Sequence, residues 1–209
     1  MQIQQARAHI IATLAFGESP RADADALLCH LLDCRRSYLM TWPERELDAA
    51  QQVTLQGWLE RRLNGEPIAH LIGEREFWSL PLKVSPATLI PRPDTEVLVE
   101  QALARLPACP CALLDLGTGT GAIALALKSE RPDADVWAVD RMPDAAVLAR
   151  ANSAALGLPI AVRDGNWFEP LADAPRFAMI VSNPPYIDGA DPHLDEGDVR
   201  FEPRSALVA

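Results

Sequence analysis

Long apolar runs are missing from this chain of 209 residues. Although 49% of it is hydrophobic, no stretch approaches the roughly 20 apolar residues that cross a bilayer. The start, Met1-Gln2-Ile3-Gln4-Gln5, lacks the basic opening and apolar block of a secretory signal. Cysteine is scarce. The four present form two close pairs, Cys29/Cys34 and Cys109/Cys111, and neither spacing is that of a zinc knuckle. They read as buried or incidental thiols in a reducing compartment, and no metal site is expected. Also absent is a basic stripe with interleaved aromatics. The excess charge is acidic, −10 in all, with 8 basic against 11 acidic side chains up to residue 80 and 11 against 18 beyond it. So acidic a second half repels a nucleic-acid backbone, whose binding depends on Lys and Arg. The expectation is a cytosolic, monomeric protein with no membrane partner and no direct contact to duplex nucleic acid.

What is present begins with helices. From Gln2 to Phe16 the apolar residues Ile3, Ala6, Ile10 and Leu14 fall at helical spacing, with Gly17 as terminator. Ser19-Pro20 offers an N-cap and a first-turn proline for a helix carrying Ala24, Leu27, Leu28, Leu31 and Leu32. A short piece covers Arg36 to Thr41. Asp48 caps a longer helix through Val53, Leu55, Trp58, Leu59 and Leu63, closed by Asn64-Gly65. Amphipathic helices with short connections make a small bundle over residues 1–75. It serves either as a docking module for a protein partner or only as support for its neighbour.

Residues 76–93 read as a hairpin and linker. Glu76 to Leu80 and Leu82 to Val84 flank Pro81 as paired extended segments. The stiff segment Leu89-Ile90-Pro91-Arg92-Pro93-Asp94-Thr95-Glu96 then leads into a helix running to about Leu106. Arg92 is expected to form an ion pair with Asp94 or Glu96, the alternative being a hold on a substrate loop or a ligand carboxylate. His70 and His193 stand in no triad or metal pattern.

Residues 94–209 read as a second, catalytic domain, in which strand and helix alternate from residue 111 onward. Ala112–Leu116 is an apolar strand, followed by Gly117-Thr118-Gly119-Thr120-Gly121 and a helix from Ala122. Asp135–Asp140 is a second strand, Asp144–Leu156 a helix stopped by Gly157, Ile160–Val162 the start of a third strand and Phe177–Val181 a fourth. Such alternation implies a parallel, doubly wound α/β sheet with ligands at the strands' carboxyl ends. The glycines allow close backbone approach at a helix N-terminus, and Asp140 stands where an acid bonds a ribose diol. Glycines plus a strand-terminal acid point to a nucleoside cofactor.

Asn183-Pro184-Pro185-Tyr186 follows the fourth strand directly. Two prolines must end a strand, because proline has no N–H for the ladder. Asn183 is left with a free side chain beside carbonyls that have no competing donors, an arrangement suited to gripping a planar NH2 group. On the tetrapeptide alone, a plain strand-ending turn fits as well.

Together, Asp115 to Gly121, Asp140 and Asn183-Pro184-Pro185-Tyr186 resemble the class I S-adenosylmethionine-dependent methyltransferases that modify planar nitrogens. More narrowly, Gly65-Glu66-Pro67-Ile68-Ala69-His70-Leu71, Arg75-Glu76-Phe77-Trp78 and Ile90-Pro91-Arg92-Pro93-Asp94-Thr95-Glu96 are similar to the peptide chain release factor glutamine methyltransferases, over essentially the whole chain. The resemblance implies a Rossmann-like fold and S-adenosyl-L-methionine as methyl donor. It implies N5-methylation of the glutamine in the Gly-Gly-Gln motif of bacterial class 1 release factors, which would be the protein partner. By similarity, Asn183 and the Pro184 carbonyl accept the two amide hydrogens, Tyr186 packs over the amide and Pro185 stiffens the loop. Gly117, Thr118, Gly119, Thr120 and Gly121 take the methionine and ribose side, Asp140 the ribose hydroxyls and Trp167 the adenine, with Asn183 also counted among the cofactor-binding residues. The bland alternative for Trp167 is a core aromatic.

Two departures stand out. Asn166 occupies the place before Trp167 where the family commonly has an acid, and Asp164 is a candidate substitute. The resemblance also implies more strands than the four read here, so the sheet is expected to be C-terminally incomplete. This segment alone is then expected to be poorly stable and weakly active or inactive, with an exposed sheet edge. Other functions compatible with the tetrapeptide are a ribosomal protein L3 glutamine methyltransferase, an N6-adenine or guanine-N2 nucleic-acid methyltransferase, and an inactive binding fragment. The first normally carries Pro-Arg-Ser-Pro where this chain has Pro91-Arg92-Pro93-Asp94. The acidic balance disfavours the second.

Overall fold

A computed structural model describes residues 1–15, 17 and 19–209. The chain divides into two compact units, Met1–Ile72 and Gly73–Ala209.

The first unit is helical: α1 (Ile3–Thr13), α2 (Pro20–Leu31), α3 (Arg36–Thr41), α4 (Ala49–Leu63) and α5 (Ile68–Ile72). Ile3, Ala6, Ile10 and Leu14 are buried at the expected spacing. α1 ends at Thr13 with Leu14 as its C-cap, short of the expected Phe16, which itself lies outside the described residues. Asp48 caps α4 as anticipated: its Oδ1 accepts from the Gln51 N–H at 2.8 Å, and Gln51 Oε1 accepts from the Asp48 N–H at 2.9 Å. Ser19 stands at the N-cap of α2, but its side chain makes no cap hydrogen bond. The buried face of α4 is Leu55 and Leu59, whereas Val53 is 74% exposed. Residues two apart lie on opposite sides of a helix, so Val53 cannot share the face of Leu55. Asp25 is buried where α1, α2 and α3 meet and accepts from Arg7 Nε at 2.6 Å and Arg36 Nε at 2.7 Å. Burial pushes its pKa up, but the two guanidinium groups outweigh that and hold it below the usual carboxylate value.

The second unit opens with the antiparallel hairpin of β1 (Glu74–Phe77) and β2 (Leu80–Lys83). The turn falls on Trp78 and Ser79, both at positive φ, as two-residue hairpin turns require. Pro81, anticipated between the strands, lies within β2 opposite Glu76; a two-stranded hairpin has free edges, where a missing N–H costs no ladder bond. Phe77 and Leu82 belong to the main core of this unit, and Asn152 binds the hairpin through Lys83 N–H and C=O. Residues 76–93 therefore pack as part of the second unit.

A 3-10 turn (Pro93–Thr95) leads into α6 (Glu96–Leu103), shorter than expected. Then come β3 (Ala112–Leu116), α7 (Ala122–Glu130), β4 (Asp135–Asp140), α8 (Pro143–Leu156), β5 (Ala161–Asp164) and β6 (Met179–Ser182). Gly157, at φ 64, closes α8. The sheet order is β5-β4-β3-β6 with every pair parallel. Leu113, Val136, Ala138, Val162 and Val181 face one core with residues of α6 and α7. Leu114, Leu116, Trp137 and Val139 face another, against Leu171, Ala174 and Phe177. The chain moves outward from β3 to β5 and then returns to the other side of β3. Around β3 the loops diverge, and a crevice opens at the carboxyl ends of β3, β4 and β6.

Candidate active site

That crevice is a cavity of about 460 Å³. Its floor is the turn after β3, where Gly117, Gly119 and Gly121 all adopt positive φ (73°, 55° and 84°). The Gly117 and Thr118 N–H groups both donate to the Val139 carbonyl, at 2.9 and 3.1 Å. Asp140, at the end of β4, uses both carboxylate oxygens to brace the site. Oδ2 accepts from the Gly119 N–H and Oδ1 from the Met142 N–H, each at 2.9 Å. A carboxylate oxygen retains capacity for a further donor after one such bond, so Asp140 can fix the turn and still accept from a ligand hydroxyl.

Beneath the turn, Asp115 is fully buried, and its Oδ2 accepts from Thr118 Oγ1 at 2.6 Å. Burial pushes its pKa up to about 6; the Thr118 bond opposes the rise and the Asp140 charge adds to it.

The opposite wall is the loop after β6. Ser182 Oγ donates to the Leu116 carbonyl at 2.8 Å, tying the ends of β3 and β6 together. Asn183, Pro184 and Pro185 line the cavity, and Tyr186 follows at 78% exposure. Asn183 Nδ2 donates to Thr95 Oγ1 at 3.3 Å. With the nitrogen so engaged, Oδ1 is the end of the amide left to accept. Gly165, Asn166 and Trp167 contribute a third side. Trp167 has a positive φ of 52° and is 59% exposed; an aromatic held in a left-handed turn at a cavity mouth is not core packing.

Ala87, Thr88, Leu89, Pro91 and Arg92, with Ser205, Ala206, Val208 and Ala209, close the remaining side. They are held by Glu202, which is buried and accepts from the Ile90 N–H at 3.0 Å and from Arg92 Nη2 at 2.8 Å.

Nine of the anticipated residues thus meet at one cavity: Gly117, Thr118, Gly119, Thr120, Asp140, Trp167, Asn183, Pro184 and Pro185 line it, while Gly121 sets the start of α7 and Tyr186 follows the lining residue Pro185 in the chain. The family model described as "PrmC N-terminal domain" matches residues 5–73, and "Methyltransferase small domain" matches residues 93–198. Release factor glutamine methyltransferase of Escherichia coli is 60% identical over 210 residues, which span 100% of this chain and 76% of that protein. The Salmonella typhimurium protein of the same name is 62% identical, covering 92% of this chain and 69% of the relative. That of Shewanella oneidensis is 53% identical, covering 93% and 68%.

This chain belongs to the release factor glutamine methyltransferase family.

Within that family assignment the structure corrects two pairings. Arg92 does not pair with Asp94 or Glu96; its partner is Glu202. Asp164, anticipated as a substitute for the acid before Trp167, pairs with Arg150 and lies outside the cavity lining, where Asn166 is present. Three residues with no role assigned from sequence also belong to the methyltransferase cavity or its supports: Thr88, Thr95 and Glu202. Thr95 lay in the Pro-Arg-Pro-Asp-Thr-Glu segment already singled out, but nothing in its spacing named Asn183 as its contact.

Proposed function

We propose that this chain moves a methyl group from S-adenosyl-L-methionine to the side-chain N5 of the glutamine in the Gly-Gly-Gln motif of bacterial class 1 release factors. The observation that carries the reading is the convergence of the glycine turn, Asp140 and Asn183 on one cavity. A glutamine amide nitrogen is a poor nucleophile because its lone pair is delocalised into the carbonyl. What the protein supplies is therefore geometry and exclusion of water.

Asn183 Oδ1 and the Pro184 carbonyl accept the two N–H bonds of the amide. Pro185 stiffens the loop, and Tyr186 packs over the amide plane. Thr95 restrains the nitrogen end of Asn183, which keeps an acceptor and not a donor toward the incoming NH2 group. The residues fit the donor: the turn brings bare backbone to the cavity, Asp140 suits the ribose diol, and Trp167 offers an open aromatic face to adenine. The donor's chemistry is a methyl group on a sulfonium, whose carbon–sulfur bond electrons stay with sulfur on transfer. The Asn-Pro-Pro-Tyr loop carries no carboxylate or imidazole as general base. Methyl transfer leaves the amide cationic at nitrogen; in that form it is strongly acidic and loses its proton to bulk solvent after the transfer step.

The helical residues 1–75 dock the release factor, a reading supported by the half-exposed Met40 and Trp42. The reaction is placed in the cytosol, with a monomeric enzyme and no duplex nucleic acid; the acidic balance and the free cysteines support this.

The test is transfer of labelled methyl from S-adenosyl-L-methionine to a release factor, to ribosomal protein L3 and to DNA or RNA, offered separately. Label is expected on the release factor glutamine alone. Asn183→Ala should lower turnover by about 10²–10³, the typical loss of one preorganised polar contact, and leave donor affinity within a few-fold. Turnover near the parent level would remove the assigned grip.

A further inference from the structure

Thr88 is 2% exposed and lines the cavity, yet its hydroxyl has no hydrogen-bond partner. A buried hydroxyl left unpaired is unfavourable by more than an ordinary hydrogen bond contributes, so this one calls for an explanation. Among the described residues it is the only buried, unpartnered side-chain polar atom belonging to a cavity-lining residue. The other polar groups named above are engaged within the protein: Asp140 with two backbone N–H groups, Asn183 with Thr95 and Arg92 with Glu202.

The position of Thr88 is fixed from both sides. Its own N–H closes a turn onto the Ser85 carbonyl at 3.2 Å, and two residues later Ile90 is anchored by Glu202. It faces the glycine turn: a Cβ built on Gly119 would lie 3.9 Å from Thr88 Cβ. The Thr88 side chain is thus held, by its Cβ, opposite the backbone that leads into the N-terminus of α7, where partial positive charge favours an anion.

We propose that Thr88 Oγ1 donates a hydrogen bond to the α-carboxylate of the S-adenosyl-L-methionine methionine moiety, an assignment that rests on the methyl donor named above. The carboxylate is the anionic part of that ligand, and it needs O–H and N–H donors. Asp115 and Asp140, both carboxylates beside the turn, can offer it none when ionised. The uncommitted Thr88 hydroxyl, together with the N–H-rich start of α7, supplies them.

The experiment compares binding of S-adenosyl-L-methionine and of decarboxylated S-adenosylmethionine, which lacks only the carboxylate. Calorimetry is run on the parent chain, Thr88→Val and Thr88→Ser, with thermal unfolding recorded for each. The parent should prefer the carboxylated ligand. Thr88→Val should weaken that ligand about tenfold or more, the scale of a hydrogen bond to a charged group, and leave the decarboxylated one within about twofold. Thr88→Ser should retain the preference. If Thr88→Val does not fold, Thr88→Ala is read by the same ratio. Equal binding of both ligands by the parent overturns the assignment, as does equal weakening of both by the variant, or none. A parent that binds neither ligand overturns the functional reading itself, so the two failures are distinct.

Discussion

Arg92 Nη2 lies 2.8 Å from Glu202 Oε2, a contact between residues 110 apart in the chain. Glu202 is buried, while Arg92 remains partly open to solvent. The pair joins the stiff Ile90–Pro93 segment to the residues that follow the Asn-Pro-Pro-Tyr loop, and both segments wall the cavity.

Removing the cation leaves a buried carboxylate uncompensated. Arg92→Ala is expected to lower stability by about 1–3 kcal/mol, below the range for a fully buried pair because the guanidinium is part exposed. Burial already raises the Glu202 pKa, with Arg92 only partly offsetting it. A raised carboxylate favours the folded state below its unfolded pKa and loses that advantage as pH rises through the folded value. Without Arg92 the folded pKa climbs further, so the variant's deficit should grow from pH 4 toward neutrality. Urea midpoints of parent and variant across that range test it; a constant deficit would contradict the coupling. Glu202→Gln, which keeps an acceptor for Ile90 and removes the charge, should be milder.

Asp115 gives a pH dependence of its own. Its pKa is about 6 in the folded chain against an ordinary 3.8. The folded state then binds more protons than the unfolded one between these values, and stability falls as pH rises through the window. Asp115→Asn removes the ionisation while still accepting from Thr118. The variant should match the parent near pH 4 and exceed it at pH 8 by on the order of 2–3 kcal/mol. Parallel stability curves for the two chains would refute it.

Asp140 should couple cofactor affinity to the glycine turn. Asp140→Ala removes the acceptor proposed for the ribose and frees the Gly119 and Met142 N–H groups. Affinity for S-adenosyl-L-methionine should fall about 10–100-fold, measured by calorimetry. Asp140→Asn, which keeps one carbonyl acceptor, should fall between the two.

Gly121 starts α7 at φ 84°, and a Cβ there would lie 3.1 Å from Leu125 Cδ1 and 3.3 Å from Ala149 Cβ. Gly121→Ala should therefore cost about 2–4 kcal/mol, combining left-handed strain with crowding between α7 and α8. At Gly117, φ is 73° and a Cβ would meet nothing within 4 Å, so Gly117→Ala should show the backbone strain of about 1–2 kcal/mol alone. The difference between the two urea midpoints isolates the helix packing.

Much of this site is written locally. Strand β3 and its glycine turn, Asp140 at the end of β4 and Asn183 at the end of β6 are legible because apolar runs, glycines and prolines act on their own neighbours. Strand–helix alternation then determines that the ends gather on one side of a parallel sheet, where the chain folds them together. The helix caps and terminators at Asp48 and Gly157 are legible for the same reason. What the tertiary structure alone decided is which side chains meet. Arg92 passes over two acids within four residues for one 110 residues away, and Asp164 is drawn to Arg150 and out of the cavity lining. Val53 turns outward because the core lies against Leu55, and the Thr88 hydroxyl is left unpaired two residues before Ile90, which Glu202 anchors. Local sequence sets backbone conformation through steric and hydrogen-bond preferences one to four residues in range. Partner choice depends on burial and on which distant segments the sheet order brings within 3 Å of each other, and no window of sequence contains that.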